Sequence, residues 1–455
     1  MPEKLKEREP AAHADRFVAV ERRFVPSPAT LQRTIALWGA ALLAGCLGAV
    51  SIYGFRLLIT GVEWLFTRRM GSFPDAAEHL QPWVRVVVPT IGGLLAGAVL
   101  QVERRSPGAR PHIDYIDAAR ARSATLNDRS TAARTVSSLV SVGSGSSIGR
   151  EGSMVQLSAW LAALITRFLP LEVAERNAIL VCGIASGLAS AYHAPIAGVI
   201  FVLELALGFF ARHTIAPVLV ACVAASALTH RLVGAQPLYV VPGALGEPAL
   251  GIALAGGVLF GLLGLLQLAL LEHARRWFRV LGPLWLRLGI GGLAVGLISA
   301  VTPGVWGNGY SVLAQLLGHG ELLSIVAALL VGKLVATIAS AGSGTVGGVF
   351  TPTLFVGATS GFLAAGLGEH FLAASALGDP RALAVIGMGA VLAAVTHAPL
   401  MSIVMVLEMT QQFQLVVPLI LASAVAYVIS TRFSMKPVYG NPIEGETPPE
   451  RSAAR

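Results

Sequence analysis

A chain of 455 residues that is 55% hydrophobic and only 13% charged lies outside the range of ordinary soluble domains, in which about 25% of residues are charged. Its formal charge of +8 would suggest nucleic acid as a partner for a soluble protein. With a mean hydropathy of +0.70, Lys and Arg in the cytoplasmic loops of a membrane protein explain it better, and no nucleic-acid partner is expected. The three cysteines, Cys46, Cys182 and Cys222, lie far apart in apolar runs, which excludes a disulfide framework and offers no metal-ligand spacing.

Residues 1–34 are polar and basic, with Lys4, Lys6, Arg8, Arg16, Arg22, Arg23 and Arg33. They lack the short apolar core and small-residue cleavage site of a secretory signal, and their charge predicts a cytoplasmic N-terminal segment. Apolar runs follow at 35–66, 84–102, 178–208, 249–271, 322–340, 383–407 and 415–430. Several exceed the ~20 residues that a helix needs to cross the hydrocarbon core, which predicts an all-α polytopic protein embedded in a lipid bilayer. Residues 441–455 form a polar tail, expected on the cytoplasmic side and too short for an appended regulatory domain.

The chain repeats itself. GSGSSIGREGSMVQ at 143–156 is echoed by GSGTVGGVFTPTLF at 342–355, with glycine at the seventh position of both, Gly149 and Gly348. Downstream, YHAPIAGVIFVLELA, with His193 and Glu204, is matched by THAPLMSIVMVLEMT, with His397 and Glu408; QPLY ending at Tyr239 is matched by KPVY ending at Tyr439. Landmarks in one order at nearly constant offset predict two similar membrane halves, 35–240 and 241–440. Glycine- or proline-interrupted apolar segments in corresponding places point to a substrate site between such halves. A helix that begins inside the membrane leaves unpaired amide groups at its N-terminus, with a partial charge of about +0.5, and can hold an anion there. The two His-Ala-Pro tripeptides have a structural reading, since proline suits the first turn of a helix restarted after a break.

At the ninth position of the repeat one half has Glu151 and the other Phe350. A shared scaffold does not need that carboxylate, and an ionisable group at membrane depth is a functional candidate. Its carboxylate would occupy the anion site itself, and protonation would neutralise it and release the site. The bland alternative is a local pair with Arg150 or a helix cap. A phosphate-binding loop fits poorly, because GSGSSIGREGS lacks the Gly-Lys-Ser/Thr ending of that motif. Lys333, in LLVGKLVAT, is a second intramembrane charge. It would either raise the local potential for anions or snorkel to an interface.

GREGSMVQ, GGVFTPTLF and KPVY, in this order within two such halves, resemble the CLC chloride channel and transporter family, and VWGNGYS at 305–311 with the closely repeated HAP segments is similar to its bacterial ClcB-type branch. The resemblance covers about 35–439. It implies two inverted repeats of tilted and broken helices, a homodimer with one anion pathway per subunit, and a place in the bacterial inner membrane. It further implies no cofactor beyond bound chloride ions, and no enzyme activity. Glu151 matches the family's gating glutamate and proton acceptor. Arg150, Gly152, Val349, Phe350 and Thr351 would line the anion sites through their backbone, and Tyr439 would turn its hydroxyl to the central anion.

Two departures from the family pattern bear on mechanism. The first-half GSGIP motif is absent, and the nearest stretch is SPGARPHIDYID at 106–117, with Gly108 standing where a hydroxyl-bearing serine would be expected. Proton-coupled members commonly carry an internal glutamate directly after the residue matching Glu204; here that place is Leu205, which cannot relay a proton. The pattern therefore favours a passive, Glu151-gated chloride channel, with a chloride/proton antiporter using another inner relay as the alternative. Glu204 and Glu408, at equivalent repeat positions, are read as structural.

Overall fold

The computed structural model describes residues 28–439 apart from 70, 123–124, 208–211 and 434–435; most of the N-terminal segment 1–34 and all of the tail 441–455 lie outside the described residues. Among these residues the secondary structure is almost entirely helical, and the one β-bridge pairs Gly149 with Gly348. In chain order the principal helices of the first half are α1 (Pro28–Thr67), α2 (Pro82–Arg105), α3 (Tyr115–Arg120), α4 (Asp128–Gly143), α5 (Glu151–Ile165), α6 (Val173–Tyr192), α7 (Pro195–Phe201) and α8 (Arg212–Val233). Those of the second half are α9 (Leu250–Arg279), α10 (Leu284–Val301), α11 (Tyr310–His319), α12 (Leu323–Ser343), α13 (Phe350–Gly368), α14 (Pro380–Thr396), α15 (Pro399–Thr410) and α16 (Val416–Arg432).

Helix lengths separate two kinds of element. Nine helices among the described residues are long and apolar enough to cross a membrane. At 1.5 Å per residue the 40 residues of α1 extend about 60 Å, twice the ~30 Å hydrocarbon core, so this helix is too long to stand upright within the core. By contrast α15, with 12 residues, reaches only about 18 Å, too short to cross that core.

The breaks are written locally and twice. His193 ends α6 and His397 ends α14, both in the left-handed region with φ of 54° and 56°. Each is followed by Ala and then by Pro at the first turn of α7 or α15, where the missing N–H costs nothing. The restarted helices then cap one another across the repeat. The Glu204 carboxylate accepts from the amides of Leu400 and Met401 at 3.3 and 2.8 Å, at the start of α15. The Glu408 carboxylate accepts from those of Ile196 and Ala197 at 3.1 and 2.7 Å, at the start of α7. Each half thus supplies the acidic cap for a helix of the other, as the structural reading of these two glutamates expects.

Without a hydrophobic drive between helices in lipid, small residues must bring backbones together. The most enclosed spans, α13 and α14, do so along Gly357 and Gly361: a Cβ on either would stand 2.3 or 2.1 Å from the carbonyl oxygen of Gly387 or Leu383. Helices α1, α2, α8, α12 and α16 instead expose large apolar side chains such as Leu42, Ile91, Val223, Val331 and Val428, an outer shell suited to lipid.

Candidate functional site

Two glycine-rich turns meet at the junction of the halves. Gly149 and Gly348, the seventh residues of the two repeats, exchange both backbone hydrogen bonds, at 2.7 and 2.8 Å. Immediately beyond each, the chain turns into a helix, α5 at Glu151 and α13 at Phe350, so two N-termini with unpaired amides face one region. Gly152 packs its backbone against Gly348, where a Cβ on Gly152 would lie 3.2 Å from the Gly348 amide nitrogen.

Glu151 is buried, with 5% of its surface exposed. Its Oε1 accepts from the Thr351 hydroxyl at 2.7 Å and from Asn308 Nδ2 at 3.1 Å. Its Oε2 accepts no hydrogen bond among the described residues and rests against Gly149, where a Cβ would stand only 2.0 Å away. Gly149 is therefore glycine because the carboxylate occupies the space of a side chain. Arg150 stands at the N-cap of α5 without a side-chain capping bond, and among the described residues no salt bridge joins it to Glu151; the local-pair alternative is not what the chain adopts.

The second half completes the wall. Val349 is the N-cap of α13, and Phe350 is buried with its ring 4.9 Å from that of Tyr192. The Tyr192 hydroxyl lies 3.2 Å from Thr351 Oγ1. Tyr439 stands edge-on to Phe201 at 6.4 Å, with its hydroxyl 3.3 Å from where a Cβ on Gly348 would be. A cavity of about 400 Å³ reaches this point, and its wall includes Gly152, Gly348, Val349 and Tyr439.

Lys333 departs from the snorkelling alternative. It is fully buried, and its ammonium donates to the carbonyls of Val305 and Gly307 at 2.9 and 2.6 Å. These residues flank Trp306 and precede Asn308, so Lys333 pins the loop that delivers the Asn308 amide to Glu151. Asn308 was not singled out from the sequence, although it lies within the VWGNGYS stretch; the contact spans 157 positions, beyond any local pattern. Gly108 also departs from expectation. It is an exposed turn residue with open space around it and φ of 74°, whereas His112, Asp114 and Tyr115 line the cavity. At the start of α3 a carboxylate does the capping, since Asp114 accepts from the Ile116 amide at 2.9 Å, and no serine stands there.

Leu205 lies in a π-helical turn, Val202–Leu207, and its freed carbonyl accepts from Arg120 Nε and Nη2 at 3.0 and 2.7 Å. In place of an inner carboxylate there is a leucine side chain with a guanidinium on its backbone carbonyl. Among the described residues no cluster of His, Cys, Asp and Glu is arranged to hold a metal ion.

The family model described as voltage gated chloride channel matches residues 91–431. The chain belongs to the CLC family. Within it, similarity is strong to the ClcB-type proteins. A ClcB-like chloride channel protein of Ralstonia nicotianae is 43% identical over 87% of this chain and 94% of its own length. The voltage-gated ClC-type chloride channel ClcB of Citrobacter koseri is 39% identical over 88% and 97%. Among solved structures, a slow cyanobacterial chloride/proton antiporter superposes with a TM-score of 0.79 at 21% identity over 89% of this chain and 96% of that one. A CLC-type fluoride/proton antiporter superposes at 0.72 and 22% over 90% and 98%. These likenesses show the CLC fold, two inverted repeats of tilted and broken helices. CLC proteins are ion channels or transporters of the membrane, and this chain carries that architecture through the stretch that holds Glu151, Asn308 and Thr351.

Proposed function

We propose that this chain is a passive chloride channel of the bacterial inner membrane in which the Glu151 carboxylate is the gate. The observation that carries the reading is the seat of Glu151: a buried carboxylate held by Thr351 and Asn308 at the meeting of two helix N-termini, where a cavity ends on Gly348 and Tyr439. An anion released into that place meets the amides after Arg150 and Gly152 and those of Val349, Phe350 and Thr351, with the Tyr439 hydroxyl across from them. Chloride replaces the carboxylate when Glu151 is protonated and leaves, one negative charge substituting for another at the same helix ends.

Passive conduction is favoured over proton exchange by Leu205 and Arg120. A proton route would have to pass a leucine side chain and a fixed guanidinium charge in the π-turn. Glu204, the other acidic residue there, has its carboxylate oxygens occupied by two amides of α15. Exchange remains the second reading because the structural relatives above are named as antiporters. In this reading the basic residues from the end of α2 to the start of α4, Arg104, Arg105, Arg110, Arg120, Arg122 and Arg129, support a cytoplasmic position for that side, and both termini are assigned to the cytoplasm. Two copies form a homodimer in this reading, each with its own pathway.

Chloride efflux from liposomes tests the gate. Glu151→Gln removes the charge while keeping the shape, and efflux should become fast and independent of pH. A variant that keeps the wild-type pH response would remove Glu151 from the gate.

A further inference from the structure

Two residues after Glu151 the repeat breaks its symmetry a second time. At the eleventh position one half has Ser153 and the other Pro352. Proline suits a first helical turn, where its missing N–H is not needed, and Pro352 is buried in the first turn of α13. Ser153 keeps both an amide and a hydroxyl in the equivalent turn of α5. The Met154 amide donates to the Arg150 carbonyl at 3.1 Å, so the amides of Glu151, Gly152 and Ser153 precede the first residue with an acceptor four positions back in the helix. The Ser153 side chain is buried, with 5% of its surface exposed, and its Oγ has no hydrogen-bond partner among the described residues.

A buried hydroxyl without a partner is costly, and the other serines and threonines of the cavity wall avoid that cost. Thr135 donates to the Thr131 carbonyl at 2.8 Å, Ser343 donates to the Ser340 carbonyl at 2.7 Å, and Thr345 Oγ1 lies 3.1 Å from Ser343 Oγ. Ser153 lines the same cavity where its wall includes Gly152, Gly348 and Tyr439. Two further donors converge there: the point that a Cβ on Gly348 would occupy is 3.3 Å from the Gly152 amide nitrogen and 3.3 Å from the Tyr439 hydroxyl. A helical Cβ leans towards the N-terminus of its helix, which sets the Ser153 hydroxyl beside the unpaired amides of α5. We propose that this hydroxyl is a ligand of the chloride ion held between the start of α5 and Tyr439, and donates to it directly. The inference rests on the chloride pathway proposed above and adds to it a side-chain donor peculiar to one half. The hydroxyls at the two helix starts then divide the work: that of Thr351 is committed to the carboxylate gate at 2.7 Å, and that of Ser153 serves the ion. Water is the competing partner for Ser153, and the two partners differ in whether chloride feels the loss of the hydroxyl.

The test titrates chloride into the full-length protein by calorimetry, in detergent with gluconate as the background anion, and follows the melting temperature over the same chloride range. Ser153→Ala should melt no lower than the wild type without chloride, because it removes an unpaired buried group and alanine favours a helix. Its chloride affinity should fall about tenfold or more, the loss of one hydrogen bond to a charged group, and chloride should raise its melting temperature less. Ser343→Ala is the control: it removes a wall hydroxyl that already has protein partners, and chloride affinity should stay at the wild-type value. Unchanged affinity in Ser153→Ala overturns the proposal and gives the hydroxyl to water. An equal loss of affinity in Ser343→Ala overturns it as well, since the wall at large would then be responsible, and so does a Ser153→Ala protein that fails to fold, which would give the hydroxyl a structural partner. Absence of chloride binding to the wild-type protein also overturns it, and chloride efflux from liposomes then decides the channel reading separately. A wild-type protein that binds chloride but passes none refutes the channel reading instead, and the comparison of Ser153→Ala with the wild type still decides the ligand.

Discussion

Replacing Thr351 by valine removes one hydroxyl and almost no volume from the seat of Glu151. Thr351 is buried, and its hydroxyl makes the shorter of the two hydrogen bonds to Oε1, 2.7 Å against 3.1 Å for Asn308. A hydrogen bond to a charged group contributes a net ~1.5–3 kcal/mol, and 1.4 kcal/mol is a factor of ten in an equilibrium. The ratio of seated to released carboxylate should therefore fall by roughly 10- to 100-fold, with Asn308 as the remaining side-chain donor. The backbone amide of residue 351 is unchanged, so the anion site keeps its donor while the gate loses one. Chloride efflux should rise towards the level of Glu151→Gln. Thr359→Val on the same helix is the control, because the Thr359 hydroxyl donates to its own helix at the Phe355 carbonyl, at 2.7 Å, and efflux should stay at the wild-type level. Wild-type efflux from a folded Thr351→Val protein would refute the reasoning, since the bond would then contribute nothing to holding the gate.

Gly149→Ala places a methyl group 2.0 Å from Glu151 Oε2 and 2.6 Å from the Gly348 carbonyl; overpacking of this kind costs ~1–3 kcal/mol, and efflux at neutral pH should rise because the carboxylate loses its seat, whereas intact gating would contradict the fit. Lys333→Met leaves the Val305 and Gly307 carbonyls without their donor at ~1–3 kcal/mol each, so the melting temperature should fall and efflux at neutral pH should rise as Asn308 loosens; a stable variant with a shut gate would show that the loop does not need its anchor. Glu204→Ala and Glu408→Ala each remove an acidic cap from a helix of the other half and should destabilise by similar amounts, ~0.5–2 kcal/mol, without changing the reversal potential. A changed reversal potential in Glu204→Ala alone would make that residue a proton relay.

The parts of this molecule that were legible in its sequence are those written in short stretches. Apolar runs long enough to cross a bilayer, the glycine signature beside Glu151 and Tyr439, and the His-Ala-Pro restarts with their partner glutamates each fit within a few turns of chain. Their duplication made Gly149 and Gly348 readable as equivalent positions, but not that the two would pair backbone to backbone. Asn308 and Arg120 were not legible, because their partners are 157 and 85 positions away and neither sits in a periodic pattern. Lys333 shows a different limit: a lone lysine in an apolar helix reads the same whether its face meets lipid or core, and only the packing of the loop from Val305 to Gly307 over it decides. Gly108 was misplaced because a missing motif leaves no anchor for alignment, and the start of α3 is fixed instead by the Asp114 cap.

The most direct test of passive conduction is the reversal potential of the purified protein in liposomes under opposed chloride and proton gradients. A passive pathway predicts a value at the chloride equilibrium potential that does not move when the proton gradient is changed. A value displaced by the proton gradient would contradict it, and would mean that protons cross this chain despite the leucine side chain of residue 205 and the guanidinium of Arg120 on its carbonyl.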